Sequence, residues 1–265
     1  MSTKIAIIGG GNLGSAIALG LIKSNIKASD VIITRRNLSK IDHLKKDGFQ
    51  LTNDNVKAVK NSSIVFLCVQ PKQLANLLND IKSSLNEDQI LVSTITGVST
   101  DEIAGHLGKK IPIIRAMPNT AIAIGKSMTC LCAKDANGKH LEEVQTIFNA
   151  LGKTLVIEER LMKAATVLAA SGIAFAMRYM RAASQGGIQM GFDSEEAQLI
   201  ASQTALGAAS LLLSSESHPE MEIDKVTTPE GCTIAGLNEM EHQGLSSALI
   251  KGIITSFDRI NNIKK

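Results

Sequence analysis

The chain has no tryptophan, a single tyrosine (Tyr179) and an aromatic content of only 3%. Readers of single-stranded nucleic acid stack bases on aromatic side chains, so this scarcity argues against such a platform. An excess of one charge is lacking too. The net charge is +3, too small for a nucleic-acid or membrane surface and sufficient only for a modest pull on anionic ligands. The four cysteines, Cys68, Cys130, Cys132 and Cys232, contain no C-x-x-C pair. The compartment therefore reads as reducing, and the expected location is cytoplasmic. Cys130 and Cys132 fall on one face of a period-two apolar run and are expected as packed thiols rather than metal ligands. The five histidines (His43, His106, His140, His218 and His242) show no metal or triad spacing, and G-x-S-x-G does not occur. No metal site and no nucleophilic catalysis are expected. No apolar run is expected to reach the length of a membrane span. The N-terminus leads directly into a strand, so no signal peptide is expected. What is present, 44% hydrophobic and 20% charged residues over 265 positions, suits one large or two ordinary globular domains.

The stretch Lys4 to Gly14 organises the rest. A short apolar run ending at Ile8 reads as a parallel strand buried on both faces. Gly9, Gly11 and Gly14 then fit G-x-G-x-x-G, and Leu13, Ile17 and Leu21 continue at helical spacing. Strand, glycine turn and helix in that order form the dinucleotide-binding fingerprint. Gly9 makes the turn, Gly11 lets backbone approach a pyrophosphate, and Gly14 allows close packing of helix on strand. The helix N-terminus is then available to phosphate. Val31 to Ile33 reads as a second strand ending at Thr34-Arg35-Arg36-Asn37. An NAD enzyme carries Asp or Glu there for the ribose 2′-hydroxyl. Arg35 and Arg36 in that place suit a 2′-phosphate, so NADP is expected, with NADPH preferred over NADH.

Further strands are expected at Ile64 to Val69, Ile90 to Thr94, Ile111 to Ala116, Met128 to Ala133 and Thr154 to Ile157, with a weak one over Leu51 to Val56 that contains Asn55. Ser99 with Glu102 reads as a capping box, and Leu141 to Leu151 as an amphipathic helix closed by Gly152. The alternation implies an α/β Rossmann-like N-terminal domain with a mostly parallel sheet over residues 1–158. Residues 159–265 then lose β-branched runs and read as an all-α domain. Its helices are apolar around much of their circumference and carry small-residue faces at Ala169 to Gly172 and Leu206 to Ala209, so self-association through them is expected. Asp193 with Glu196 caps a helix to about Leu213; a short helix is expected at Ile234 to Met240 and a last one at Ser246 to Ile263.

The other dense signal is Asp224-Lys225-Val226-Thr227-Thr228-Pro229-Glu230-Gly231-Cys232-Thr233-Ile234. Thr227, Thr228 and Thr233 supply hydroxyls, Gly231 admits a ligand near the backbone, and a helix start favours a carboxylate. Thr233 doubles as the expected N-cap.

With these residues assembled, the chain resembles the pyrroline-5-carboxylate reductase family over nearly its whole length. The resemblance rests on Ile8 to Gly14, Val69-Gln70-Pro71, Met117-Pro118-Asn119-Thr120, Glu216-Ser217-His218-Pro219 and Val226 to Leu237. It implies a Rossmann domain joined to a helical dimerisation domain, at least a dimer with dimer or decamer left open, and NAD(P)H-dependent reduction of 1-pyrroline-5-carboxylate to proline. By position, Ile8, Gly9, Gly10, Gly11, Asn12, Leu13, Gly14, Arg35, Arg36, Asn55, Cys68, Val69, Gln70, Pro71, Thr94, Ile95, Thr96, Pro118 and Asn119 would touch the cofactor. Glu159, Ser171, Asp224, Lys225, Thr228, Gly231, Cys232 and Thr233 would border the substrate. Thr233 is the expected catalytic group, orienting the imine nitrogen. Gln70 stands where the family usually has Lys, Ile173 and Phe175 replace Pro and Tyr, and Glu230 replaces a small residue. The alternatives are another NADP-dependent imine oxidoreductase or a β-hydroxyacid dehydrogenase of the same domain plan, the latter needing a lysine on the first helix of the second domain, and a non-catalytic NADP sensor. No lysine follows Gly172 within two turns.

Overall fold

In the computed structural model, residues 3–23, 26–215 and 217–260 are described. They divide into two compact units, 3–171 with 256–260, and 172–255.

The first unit is built on eight strands: β1 (Ile5–Ile8), β2 (Val31–Thr34), β3 (Gln50–Thr52), β4 (Ile64–Leu67), β5 (Ile90–Ser93), β6 (Ile113–Met117), β7 (Ser127–Lys134) and β8 (Gly152–Val156). They form one sheet in the order β3-β2-β1-β4-β5-β6-β7-β8. Pairing is parallel except between β6 and β7. The connection between those two is a single 3₁₀ turn, Thr120–Ile124, closed by Gly125 at φ +70°. That is too short for a parallel crossover, which takes about a dozen residues. The chain reverses direction across the sheet between β1 and β4, the switch point where open α/β sheets bind ligands.

Helices cover both faces. Ile5, Ile7 and Phe66 point into a core with α1 (Asn12–Lys23) and α5 (Gly138–Asn149), where Phe66 and Phe148 meet edge-to-face at 5.9 Å. Ala6, Ile8, Val65 and Leu67, one residue out of phase, point into a second core with α2 (Asn55–Lys60), α3 (Leu74–Ile81) and α4 (Thr100–Leu107). Period-two side chains with apolar cover on both sides explain why β1 and β4 are unbroken apolar runs.

After β8, α6 (Met162–Ala165) passes into a π-helical turn, Thr166–Ser171. Lys163 Nζ lies 3.6 Å from the ring centroid of Phe257, which packs the end of the last helix onto this unit. The second unit holds α7 (Gly172–Gln189), α8 (Ser194–Ser215), α9 (Pro219–Asp224), α10 (Cys232–His242) and most of α11 (Leu245–Ile260). α7 and α8 form a hairpin turned by Gly191 at φ +109°. A Cβ on Gly187 would come within 3.0 Å of that of Ala197, so the helices touch nearly backbone to backbone. Asp193 Oδ1 accepts from the N–H groups of Glu195 and Glu196, capping α8 as expected.

Three expectations are corrected, and a fourth lies partly outside the described residues. Asn55 opens α2, because Asp54 accepts from Lys57 N–H and caps a helix there; the strand ends at Thr52. α10 starts at Cys232 with Gly231 as its N-cap, so Thr233 is the second helical residue and not the cap. α11 is described to Ile260, and residues 261–263 lie outside the described residues, as does Glu216. Finally, the helical stretches Glu159–Gln189 and Ser194–Ser215 are long and apolar enough to cross a membrane by length and composition. Scattered charges such as Lys163, Arg178 and Arg181 interrupt the first.

Candidate functional site

The strand ends facing the switch point open onto a cleft of about 630 Å³, within the range of cofactor pockets. Its floor is the glycine turn. A Cβ on Gly9, at φ +110°, would strike the Cys68 carbonyl, and one on Gly14 would strike the Gly9 carbonyl. Both positions therefore require glycine for the turn to close on β4 and α1. Gly11 has open space where its Cβ would be, the approach a pyrophosphate needs. Ser15 N–H donates to Gly11 O at 2.9 Å and starts the helical ladder. The N–H groups of Asn12, Leu13 and Gly14 precede it and belong to the first turn, which a helix leaves open to an anion.

The cleft gathers Ile8, Gly9, Gly10, Gly11, Arg35, Arg36, Asn55, Cys68, Val69 and Gln70 from the residues expected around a cofactor. Asn12, Leu13, Gly14, Pro71, Thr94, Ile95, Thr96, Pro118 and Asn119 do not line it. Thr94 lies against it indirectly: its hydroxyl donates to Leu67 O at 3.1 Å and stands 3.5 Å from Cys68 Sγ. Burial pushes the Cys68 thiol up to about 12, with Thr94 offsetting part of the effect, so this sulfur stays protonated and unreactive.

The cleft also takes in Thr34 and Asn37, which flank the two arginines, and residues the motifs do not flag: Lys40, Asn53, Lys72, Gln73, Asn76, Leu77 and Asp80. Lys40 closes a 3₁₀ turn, Leu38–Lys40, that Asn37 Oδ1 caps by accepting from Ser39 N–H. At the end of β2 the rim is cationic (Arg35, Arg36 and Lys40), and Asp80 is the one carboxylate among the described lining residues. This donor set suits a dinucleotide with an added phosphate on its ribose. The two arginines differ. Arg35 Nη1 donates to Gly10 O at 2.5 Å, tying the β2 end to the glycine turn. Arg36 is exposed.

Of the residues expected at the substrate, Glu159 and Ser171 belong to the first unit and the rest to the second. The Glu159 carboxylate is engaged by Thr100 and Arg115. Ser171 is half-buried and closes the π turn. In the second unit His218 Nδ1 accepts from Glu220 N–H and caps α9. Asp224 ends that helix, and Lys225 is paired with Glu222 at 2.7 Å. Glu230 adopts φ +60°, the left-handed region that favours glycine. Gly231 N–H then donates to Thr228 O at 3.0 Å, and Gly231 leaves no room for a Cβ beside Thr228. Ala235 N–H reaches back to Gly231 O at 3.4 Å, so Cys232, Thr233 and Ile234 present the N–H groups that begin α10. Among the described residues the Thr233 hydroxyl has no hydrogen-bond partner, and no cluster of metal-ligating side chains occurs.

A family model described as pyrroline-5-carboxylate reductase dimerisation matches residues 159–263, and one described as NADP oxidoreductase coenzyme F420-dependent matches residues 4–97. Pyrroline-5-carboxylate reductase 1 of Dictyostelium discoideum is 50% identical over 96% of this chain, and the chain spans about half (49%) of that relative. Pyrroline-5-carboxylate reductase 2 of the same organism is 45% identical, over 97% of this chain and 91% of its own length. Among solved structures, a Plasmodium falciparum pyrroline carboxylate reductase with NADP bound superposes with a TM-score of 0.90 at 23% identity, covering 99% of this chain and 98% of that one. A Rossmann unit with a cationic ribose rim, a helical unit with an amide-rich loop, and 45% identity across almost all of a named relative lead to one assignment: this chain belongs to the pyrroline-5-carboxylate reductase family.

Proposed function

We propose that the chain reduces 1-pyrroline-5-carboxylate to L-proline, taking hydride from NADPH in preference to NADH. The observation that carries the reading is the loop that opens α10: three N–H groups at a helix start capped by Gly231, and the Thr233 hydroxyl, which has no hydrogen-bond partner among the described residues. Such a helix start suits the carboxylate of a small anionic substrate. The cofactor reading rests on the glycine turn and on Arg35, Arg36 and Lys40; the Plasmodium relative, with NADP bound, supports it.

Bound NADPH supplies the hydride. The chain's own residues bind, orient and shield. The cyclic imine accepts hydride at its carbon when its nitrogen is protonated, so no strong acid on the protein is required. In that state the iminium N–H donates to Thr233 Oγ. Once the carbon has taken the hydride, the nitrogen lone pair accepts from the same hydroxyl. Asp224, Lys225, Thr228 and Cys232 of the second unit border the substrate in this reading; Glu159 and Ser171 are proposed as substrate residues by the family resemblance alone. The functional boundary is placed at 158/159. The protein self-associates through its C-terminal helices, in keeping with exposed Met177, Leu199, Leu206, Leu213, Ile250 and Ile254, and works in the cytoplasm.

The β-hydroxyacid dehydrogenase alternative needs a lysine on the helix that opens the second unit. α7 carries Arg178 and Arg181 but no lysine. The test is NADPH oxidation with the pyrroline carboxylate beside a panel of keto acids, together with the reverse reaction on hydroxy acids. Turnover of the imine alone is expected. Turnover of an acid of the panel and not of the imine would overturn the reading.

A further inference from the structure

The π turn Thr166–Ser171 interrupts an otherwise helical run from Met162 to Gln189. A π turn holds one residue more than the α-helical ladder admits and displaces carbonyls from it, and such turns recur at functional sites. One of the carbonyls in this turn is claimed from outside the helix: Asn119 Nδ2 donates to Ala169 O at 3.2 Å. The other bonds of Asn119 anchor its backbone and the oxygen of the same amide. Its Oδ1 accepts from Ala121 N–H at 3.0 Å, which caps the 3₁₀ turn after β6. Its backbone N–H donates to Ser127 Oγ at 3.1 Å, and Ser127, itself buried, stands 3.2 Å from Thr129 Oγ1 at the start of β7. Oxygen faces a donor and nitrogen faces an acceptor, so the amide is locked between the sheet and the π turn.

We propose that Asn119 is a positioning residue that holds the Thr166–Ser171 turn in its π register and so sets the direction in which Ser171 leaves the helix. Collapse of the turn to α geometry shifts the ladder by one residue, about 100° of helical rotation, and turns Ser171 with it. The inference deepens the reductase reading, on which its kinetic arm rests, and assigns Asn119 to the substrate side through Ser171 rather than to a cofactor contact.

Asn119→Asp separates the two roles. It keeps the acceptor that caps the 3₁₀ turn and replaces the donor at Ala169 O with a repelling oxygen; Asn119→Ser, smaller and without the amide donor, is the second variant. The expected result is a KM for pyrroline carboxylate raised about three- to tenfold, with NADPH affinity by fluorescence titration unchanged. Amide hydrogen exchange across residues 166–172 rises in both variants. NADPH affinity falling in step with KM overturns the proposal in favour of a cofactor contact. Unchanged exchange across 166–172 overturns it outright, and that arm stands even if the wild-type protein proves inert toward pyrroline carboxylate.

Discussion

Glu159 receives two hydrogen bonds from Thr100, one from its backbone N–H at 2.7 Å and one from its hydroxyl at 2.5 Å. Arg115 Nη1 adds a third at 2.9 Å. Thr100 opens α4 just past the Thr94 to Gly97 loop, Arg115 lies on β6 two residues before Met117, and Glu159 begins the run into the π turn. One carboxylate thus fastens three segments whose other ends reach toward the cofactor loops and Ser171. Burial alone would raise its pKa, but the two Thr100 donors and then Arg115 outweigh burial and hold it below the ordinary carboxylate value.

Glu159→Gln should therefore lower stability at pH 7 by about 1–2 kcal/mol, leaving the buried Arg115, whose Nε already lacks a partner among the described residues, with a neutral neighbour. A depressed folded-state pKa means the contribution is present above the unfolded value of about 4.3 and disappears as pH falls through the lower folded value. Thermal midpoints of the two proteins should differ at pH 7 and converge in acid. A gap that persists at the acid end would show that the charge is not what Thr100 and Arg115 recognise.

The two arginines at the β2 end should not behave alike. Arg36→Ala should weaken NADPH about ten- to hundredfold and leave NADH nearly untouched. Arg35→Ala frees the Gly10 carbonyl and should weaken both. Fluorescence titration with each nucleotide reads the difference. Equal losses of the two nucleotides in Arg36→Ala would remove the 2′-phosphate assignment.

Thr233, at the second position of α10, carries no capping bond, so Thr233→Ala should change stability by less than about 0.5 kcal/mol. Loss of its hydrogen bond to a partly charged nitrogen should cost roughly ten- to a hundredfold in kcat/KM, and Thr233→Ser should restore most of it. An Ala variant with full activity ends the catalytic assignment.

Glu230 holds φ +60°, a conformation that costs a residue with a Cβ about 1 kcal/mol. Glu230→Gly should raise the thermal midpoint, or leave it level where the added chain entropy of glycine offsets the gain. A clear fall would mean that the Glu230 side chain makes a stabilising contact in the working assembly.

Much of the first unit was legible because its strands are buried on both faces: Ile5 to Ile8 and Ile64 to Leu67 have no polar interruption to misread. The glycine turn was legible because two of its glycines are sterically forced, by Cys68 and by the Gly9 carbonyl. Asn55 was misplaced because β-branched neighbours suggested a strand where a single side-chain bond from Asp54 decides for a helix. Thr233 was misplaced by two positions because glycine caps through its backbone and leaves no side-chain signature. Lys40, Lys72 and Asn76 reach the cleft from a 3₁₀ turn, a Pro-led turn and a helix whose stripe Leu74, Leu78 and Ile81 marks packing. Nothing in their local sequence advertises a ligand. The π turn was not legible at all: the contact it receives comes from Asn119, fifty residues away in the chain.

The α7–α8 hairpin buries only Ser184, Gly187, Ala197 and Ala201 within a single chain, while most of its large apolar side chains remain exposed. Its persistence is then governed by mass action rather than by contacts the chain makes with itself. On dilution, backbone amides of α7 and α8 should open while those of β1 and β4 stay closed, the latter being limited by global unfolding. A midpoint of thermal unfolding quoted for this protein has meaning only beside the protomer concentration at which it was taken.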